Sequence, residues 1–256
     1  MMKKYLTWAA IAVVLVGGVY LLSQSWQKYS GSEPAVTESV VPVPVPVSGK
    51  TAVSSKNIGR LVLAIKDEAV GLGTVQSILF NVKEIMVLKQ GGGWVTVSNQ
   101  PQTFDLLQLK RDGRFVMLAD VKLERGNYTQ VRLVIGTVVV VKDGTAYDAK
   151  LPSGELKILT DTNVAADRAA AMTFDVLADK SLHRTDNGKY IFAPVIRFNA
   201  YDSVEDVQIL GKRVDLFGGR PKINAEFGMD ENGDVKVNGG INTGVKLKLI
   251  NNVFVV

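Results

Sequence analysis

The chain has 256 residues, a formal net charge of +5 from 30 basic and 25 acidic residues, one histidine and no cysteine. Without cysteine there is no disulfide framework, thiol nucleophile or thiolate metal site, and a single histidine leaves a zinc site of familiar type short of ligands. Basic residues sit singly among acidic ones, as in Lys66-Asp67-Glu68 and Lys83-Glu84, so the basic stripe of a nucleic-acid binder is missing and no nucleic-acid partner is expected.

The chain opens with Lys3 and Lys4, followed by an uncharged, mostly apolar run from Tyr5 to Leu22. At about 1.5 Å rise per residue this is enough for a short transmembrane helix. Tyr5, Trp8, Tyr20 and Trp26 lie near its ends, where aromatic rings favour the headgroup level. The lysine pair predicts a cytoplasmic N-terminus, with everything after Lys28 outside the membrane. Residues 1–28 then form a cytoplasmic tip and single-pass anchor. A cleaved signal peptide is the competing reading, with Ser23 and Ser25 as small residues at a candidate cleavage site. Both readings export the rest of the chain.

Residues 29–58 are rich in Pro, Val and Ser, and Pro42, Pro44 and Pro46 alternate with valines. Each proline fixes its own φ and drives the preceding residue towards extended backbone. The segment is expected to be a stalk that spaces rather than packs.

From Gly59 the helix period nearly vanishes, and short apolar runs recur between Gly, Asn and Asp punctuation, which predicts an all-β body over 59–204. The predicted strands are Arg60–Lys66, Gln76–Leu88, Trp94–Ser98, Thr103–Leu107, Tyr128–Ile135, Val138–Val141, Leu156–Leu159, Met172–Leu177 and Tyr190–Phe198. In the fifth, alternation places Val131, Leu133 and Ile135 on the core face and Tyr128, Gln130, Arg132 and Val134 on the other. Gly91-Gly92-Gly93, Asp143-Gly144 and Asn187-Gly188 read as turns. Only Asp161 to Ala171 reads as briefly helical. Pro194 predicts an edge or bulge within the last strand. Residues 205–256, with turns at Gly218-Gly219, Asn232-Gly233 and Gly239-Gly240, read as a β-meander. Such a short segment makes a marginal core alone, so it is expected to pair with the main sheet. A terminal apolar strand could instead pair with a neighbouring molecule, which would make the chain a surface-assembly subunit.

Three stretches carry a resemblance: GGGWVTVSNQPQTFDLLQLK (Gly91 to Lys110), LERGNYTQVRLVI (Leu123 to Ile135) and NGKYIFAPVIR (Asn187 to Arg197), with LPSGELKI (Leu151 to Ile158) between them. In order and spacing they resemble the family known as domain of unknown function 4382, over roughly Gly59 to Ser203. The resemblance implies an exported β-sandwich domain of prokaryotic cell surfaces, often behind a signal or anchor. The fold class expected is an antiparallel β-sandwich, prealbumin- or Ig-like, preceded by one N-terminal transmembrane helix. The chain departs from the simplest family pattern in lacking a lipobox cysteine and in carrying about fifty further residues.

The residues offer little chemistry. His183 lies in Lys180–Asp186, which reads as a surface loop, so a Ser-His-Asp arrangement has only that position to build on. Asp105 in Phe104-Asp105-Leu106 and Asp175 in Phe174-Asp175-Val176 share a local setting. In one cleft they would act as acid and base of a carboxylate-dependent hydrolase; otherwise each caps a strand end or meets an arginine such as Arg132 or Arg197. Asp230, Asn232 and Asp234 resemble part of a calcium loop, but Gly233 does not fall at the position an EF-hand turn requires; a hairpin turn is the alternative. No cofactor is expected. Trp94, Tyr128, Tyr147, Tyr190 and Tyr201 are candidates for a sugar-stacking face, some of them destined for the core; Trp94, Tyr147 and Tyr201 are the candidate ligand contacts. The function expected is a non-catalytic binding or structural role at the cell surface, with an extracellular glycan or another surface protein as partner.

Overall fold

The computed structural model describes residues 57–68, 71–241, 248–250 and 253–255, so the run Tyr5–Leu22 and the valine-proline repeat lie outside the described residues. The first strands are β1 (Ile58–Lys66), β2 (Val75–Lys89), β3 (Trp94–Ser98) and β4 (Gln102–Asp105), followed by helix α1 (Leu106–Asp112). Then come β5 (Phe115–Glu124), β6 (Gly126–Lys142), β7 (Thr145–Lys150), β8 (Glu155–Val164) and β9 (Ala169–Val176). A short α2 (Ala178–Ser181) leads into β10 (Leu182–Arg184), β11 (Tyr190–Phe192) and β12 (Val195–Val204). The chain continues through β13 (Asp206–Leu210), β14 (Arg213–Phe217), β15 (Ile223–Met229), β16 (Val235–Val237), β17 (Lys248–Ile250) and β18 (Val253–Val255).

Two sheets result. The first runs β13-β14-β5-β1-β9-β12-β15-β16, and the second runs β10-β11-β7-β6-β2-β3, with β4 also on β2 and β8 also on β6. Leu61, Leu63 and Ile65 of the first sheet share one buried core with Ile78, Phe80, Val131 and Leu133 of the second. The pairings are antiparallel except for β1 with β9 and β7 with β11, which are parallel. The sandwich is therefore mixed rather than purely antiparallel, because both parallel partners are reached by long connections rather than hairpins.

Several boundaries differ from the sequence expectation for definite reasons. The expected strand Thr103–Leu107 stops at Asp105, whose carboxylate accepts the Leu107 N–H at 3.1 Å and caps α1. The helix ends at Gly113, which takes the left-handed conformation (φ 61). The expected helical stretch Asp161–Ala171 is instead the end of β8, a turn and the start of β9. Tyr190–Phe198 is two strands: β11 lies in the second sheet and β12 in the first, so Pro194 marks the point where the chain changes sheets. Tyr128 belongs to the core rather than to the Gln130 face, since a bulge between Tyr128 and Gln130 shifts the alternation. Its hydroxyl donates to the Glu124 carbonyl at 2.8 Å.

Residues 206–237 do not form a meander. Strands β13 and β14 extend one edge of the first sheet through β5, and β15 and β16 extend the other through β12. The β13–β14 hairpin also builds a second apolar cluster on the outer side of the first sheet. There Val62, Ala64 and Val214 are buried among Phe115, Met117, Val207, Ile209 and Leu216. Strand β1 thus has both faces covered, which accounts for its unbroken apolar run Leu61–Ile65.

Candidate functional site

Asp175 lies on the outer side of the first sheet, in a row that crosses four strands. Lys66, Asp175, Arg197 and Glu226 are successive cross-strand neighbours on β1, β9, β12 and β15, and their charges alternate. The Asp175 carboxylate accepts the Glu68 N–H at 2.9 Å and Arg197 Nη1 at 3.1 Å, with Lys66 Nζ at 4.0 Å. Arg197 also reaches Glu68 at 3.3 Å, Lys66 pairs with Glu68, and Lys180 closes the far end on Glu226 at 2.8 Å. The Asp175 side chain is only 2 % exposed. Burial pushes its carboxyl above the ordinary range; the Glu68 charge adds to the rise, while Lys66 and Arg197 oppose it. Glu68 moves the other way, held down chiefly by its hydrogen bond from Lys66.

Asp105 sits on the other sheet. Besides capping α1 it accepts the Ile78 N–H at 3.3 Å, and Arg111 lies 3.8 Å away. The two aspartates share no partner among the described residues, so the structure does not bring them together as an acid–base pair. Of the two arginines named from sequence, Arg197 meets Asp175. Arg132 lies on the second sheet, 3.5 Å from Glu155. Asp230 closes its own turn, accepting the N–H groups of Asn232 at 3.0 Å and Asp234 at 2.9 Å while Lys236 Nζ sits at 2.8 Å. An ammonium group thus occupies the carboxylate that a calcium loop would offer. Among the described residues no group of three or more His, Asp or Glu is arranged to hold a metal ion. His183 is not in a surface loop but in β10, opposite Ile191, and burial pushes its imidazole below the usual value.

The aromatic candidates separate. Trp94 is on the outer face of the second sheet, with the Arg132 guanidinium 4.1 Å from its ring centre. Tyr201 is half-buried on β12 of the first sheet, opposite Ala171. Tyr128 and Tyr190 fill the core. Tyr147 is 42 % exposed and packs on Tyr190, ring centres 5.6 Å apart. It stands over an open groove of about 590 Å³ lined by β7 and the Asn187–Tyr190 segment. Sequence reading named Tyr147 but missed its setting, since Asn187 to Lys189 approach it only through the parallel pairing of β7 with β11.

The fold and its surfaces define a two-sheet β-sandwich whose charged clusters are largely paired internally and whose open groove is aromatic and polar. The profile of the family described as "Domain of unknown function (DUF4382)" matches residues 58–194, more than half of the chain, and the chain belongs to that family. The match ends at Pro194, where the chain changes sheets, so β12 to β16 lie beyond it. No curated protein and no solved structure matches the chain.

Proposed function

We propose that the protein is a membrane-anchored extracytoplasmic β-sandwich module, of the prealbumin or Ig-like kind, with a non-catalytic binding role at the prokaryotic cell surface. The partner is a glycan or a surface protein. The observation that carries the binding role is the contrast between carboxylates and the exposed ring. Asp105 caps a helix, Asp175 is held in an ion-pair row and Asp230 closes a turn, whereas Tyr147 is left exposed over an open groove. Carboxylates engaged in this way hold structure together, while an exposed ring in a concave polar setting suits a ligand. The anchor rests on the run Tyr5–Leu22 behind Lys3 and Lys4, with residues 29–58 as stalk. Among the described residues no helix is long and apolar enough to cross a membrane.

The absence of cysteine makes the topology directly testable. Single cysteines at Asn99 and at Lys3 are probed in intact cells with a membrane-impermeant maleimide. Labelling at position 99 and protection at position 3 are expected, with the protein resisting alkaline extraction from membranes. Protection at position 99 would overturn the extracytoplasmic placement. For the binding role, surface cross-linking and polysaccharide retention are the two assays, and failure of both would remove it.

A further inference from the structure

The Tyr147 groove exists because β11 starts late. Tyr190 pairs with Ala149, so Thr145 to Asp148 of β7 pair with β6 on one side and, among the described residues, with no strand on the other. The gap is closed at its far side by the Asn187-Gly188-Lys189 turn. That turn is rigidly held: Thr185, itself buried, accepts the Lys189 N–H on its hydroxyl at 3.0 Å, and the Gly188 N–H donates to the Thr185 carbonyl at 2.9 Å. Gly188 takes φ 79, a conformation that only glycine adopts at no cost. The Asn187 carbonyl oxygen accepts from the Thr185 hydroxyl, which leaves the Asn187 amide nitrogen facing other partners. The Lys189 side chain is exposed and makes no hydrogen bond or ion pair among the described residues, while Asp148, next to Tyr147 on β7, points to the opposite face of the sheet. The groove therefore presents one aromatic ring with amide and ammonium donors at its rim.

This set fits a ligand that is apolar on one face and dense in hydroxyls around its rim. A pyranose ring has that character: its C–H face packs against an aromatic ring by dispersion, and its hydroxyls take both donors and acceptors. The volume lies within the range of about 300–1,000 Å³ seen for small-ligand sites. A peptide strand adding to the free edge of β7 would find only Thr145 to Asp148 before meeting the turn. We propose that this groove is a glycan subsite in which Tyr147 stacks on a pyranose ring and Asn187 and Lys189 bond its hydroxyls. The assignment rests on the binding-module reading and names the site and ligand class for it.

The test uses full-length protein in detergent and its retention on insoluble cellulose, chitin, xylan, mannan and peptidoglycan. Retention on at least one polymer is expected. Tyr147→Ala lowers the affinity about tenfold or more, the equivalent of losing one good ring contact. Tyr147→Phe keeps the ring and stays within about twofold. The ring is partly exposed and its main contact is Tyr190, so both variants remain folded, with Tyr147→Ala losing no more than that one ring contact in stability. Retention that Tyr147→Ala leaves unchanged but Trp94→Ala abolishes overturns this site and leaves the binding reading standing. No retention of the unaltered protein on any polymer overturns the glycan subsite, and the binding reading then depends on the surface cross-linking alone.

Discussion

The two sheets of the sandwich treat their outer faces differently. On the first sheet the outer side of β1 and β5 is closed over by the β13–β14 hairpin, and the remainder carries the Lys66–Asp175–Arg197–Glu226 row. On the second sheet Trp94, Leu88, Gln130 and Leu159 lie side by side across β3, β2, β6 and β8, with Leu159 68 % exposed. On the second sheet β2, β6 and β8 alternate or nearly so, whereas β1 and β5 of the first are apolar on both faces. The chain that follows matches this difference: among the described residues, those after Pro194 add strands β12 to β16 to the first sheet and none to the second. An outer face is thus made into a second core where strands apolar on both sides meet a hairpin that packs on them, and is left as surface where neither is present.

Placing the same charge on both faces separates them most strongly. Val214 is 1 % exposed beneath the hairpin. Val214→Asp buries a carboxylate among Val62, Ala64 and Phe115 with no cation supplied, and is expected to cost about 3 kcal/mol or more. Leu159→Asp on the open face is expected to change stability by less than about 0.5 kcal/mol. Urea unfolding of the two variants measures both. Equal effects would show that the hairpin cluster is not a core.

A smaller effect separates the two candidate aspartates. Asp175→Ala removes the shared partner of Arg197, Lys66 and the Glu68 N–H. Both cations retain access to water, so the cost falls below that of breaking a fully buried pair, at about 2 kcal/mol. Asp105→Ala loses a helix cap and is expected to cost about 1 kcal/mol. Chemical denaturation ranks them. A larger loss at Asp105 would mean that the ion-pair row adds little to the first sheet.

The strands that alternate on one face were legible, and the long β2 follows from its run of apolar residues, whereas β6 was read as two strands, Tyr128–Ile135 and Val138–Val141, where the structure has one of Gly126–Lys142. Strand β5 was not legible. In Phe115-Val116-Met117-Leu118, apolar side chains point both ways, because the main core lies on one side and the hairpin cluster on the other, so no period of two survives. Tyr128 misled for a different reason: one bulge inverts the face of everything before it. The Asp175 row was half legible. Arg197 was named as a partner, but Glu68, which donates its N–H to Asp175 from 107 positions away, depends on the parallel register of β1 and β9. The groove was legible only as an isolated tyrosine, since its walls come from a late-starting strand and a turn forty residues downstream of Tyr147.

The smallest expected effect concerns pH, and it tests whether the closed face is electrostatically organised as its geometry implies. Asp175 has a folded pKa raised by burial. Its contribution to stability is therefore full below its unfolded pKa and is lost as pH rises through the folded value. Glu68 has a folded pKa lowered by its hydrogen bond from Lys66. Its contribution is present above the unfolded pKa and is lost as pH falls through the folded value. In the acid range the two groups thus work against each other. Glu68→Gln removes a component that weakens the fold on acidification, so the fall in stability below about pH 4.5 should flatten. Asp175→Asn removes the component that offsets this weakening, so the same fall should steepen, whatever the variant costs at neutral pH. Urea midpoints between about pH 3 and 7 measure both slopes. Parallel curves for the two variants would mean that the two carboxylates titrate independently of the fold, and that the row is held by geometry and hydrogen bonding alone.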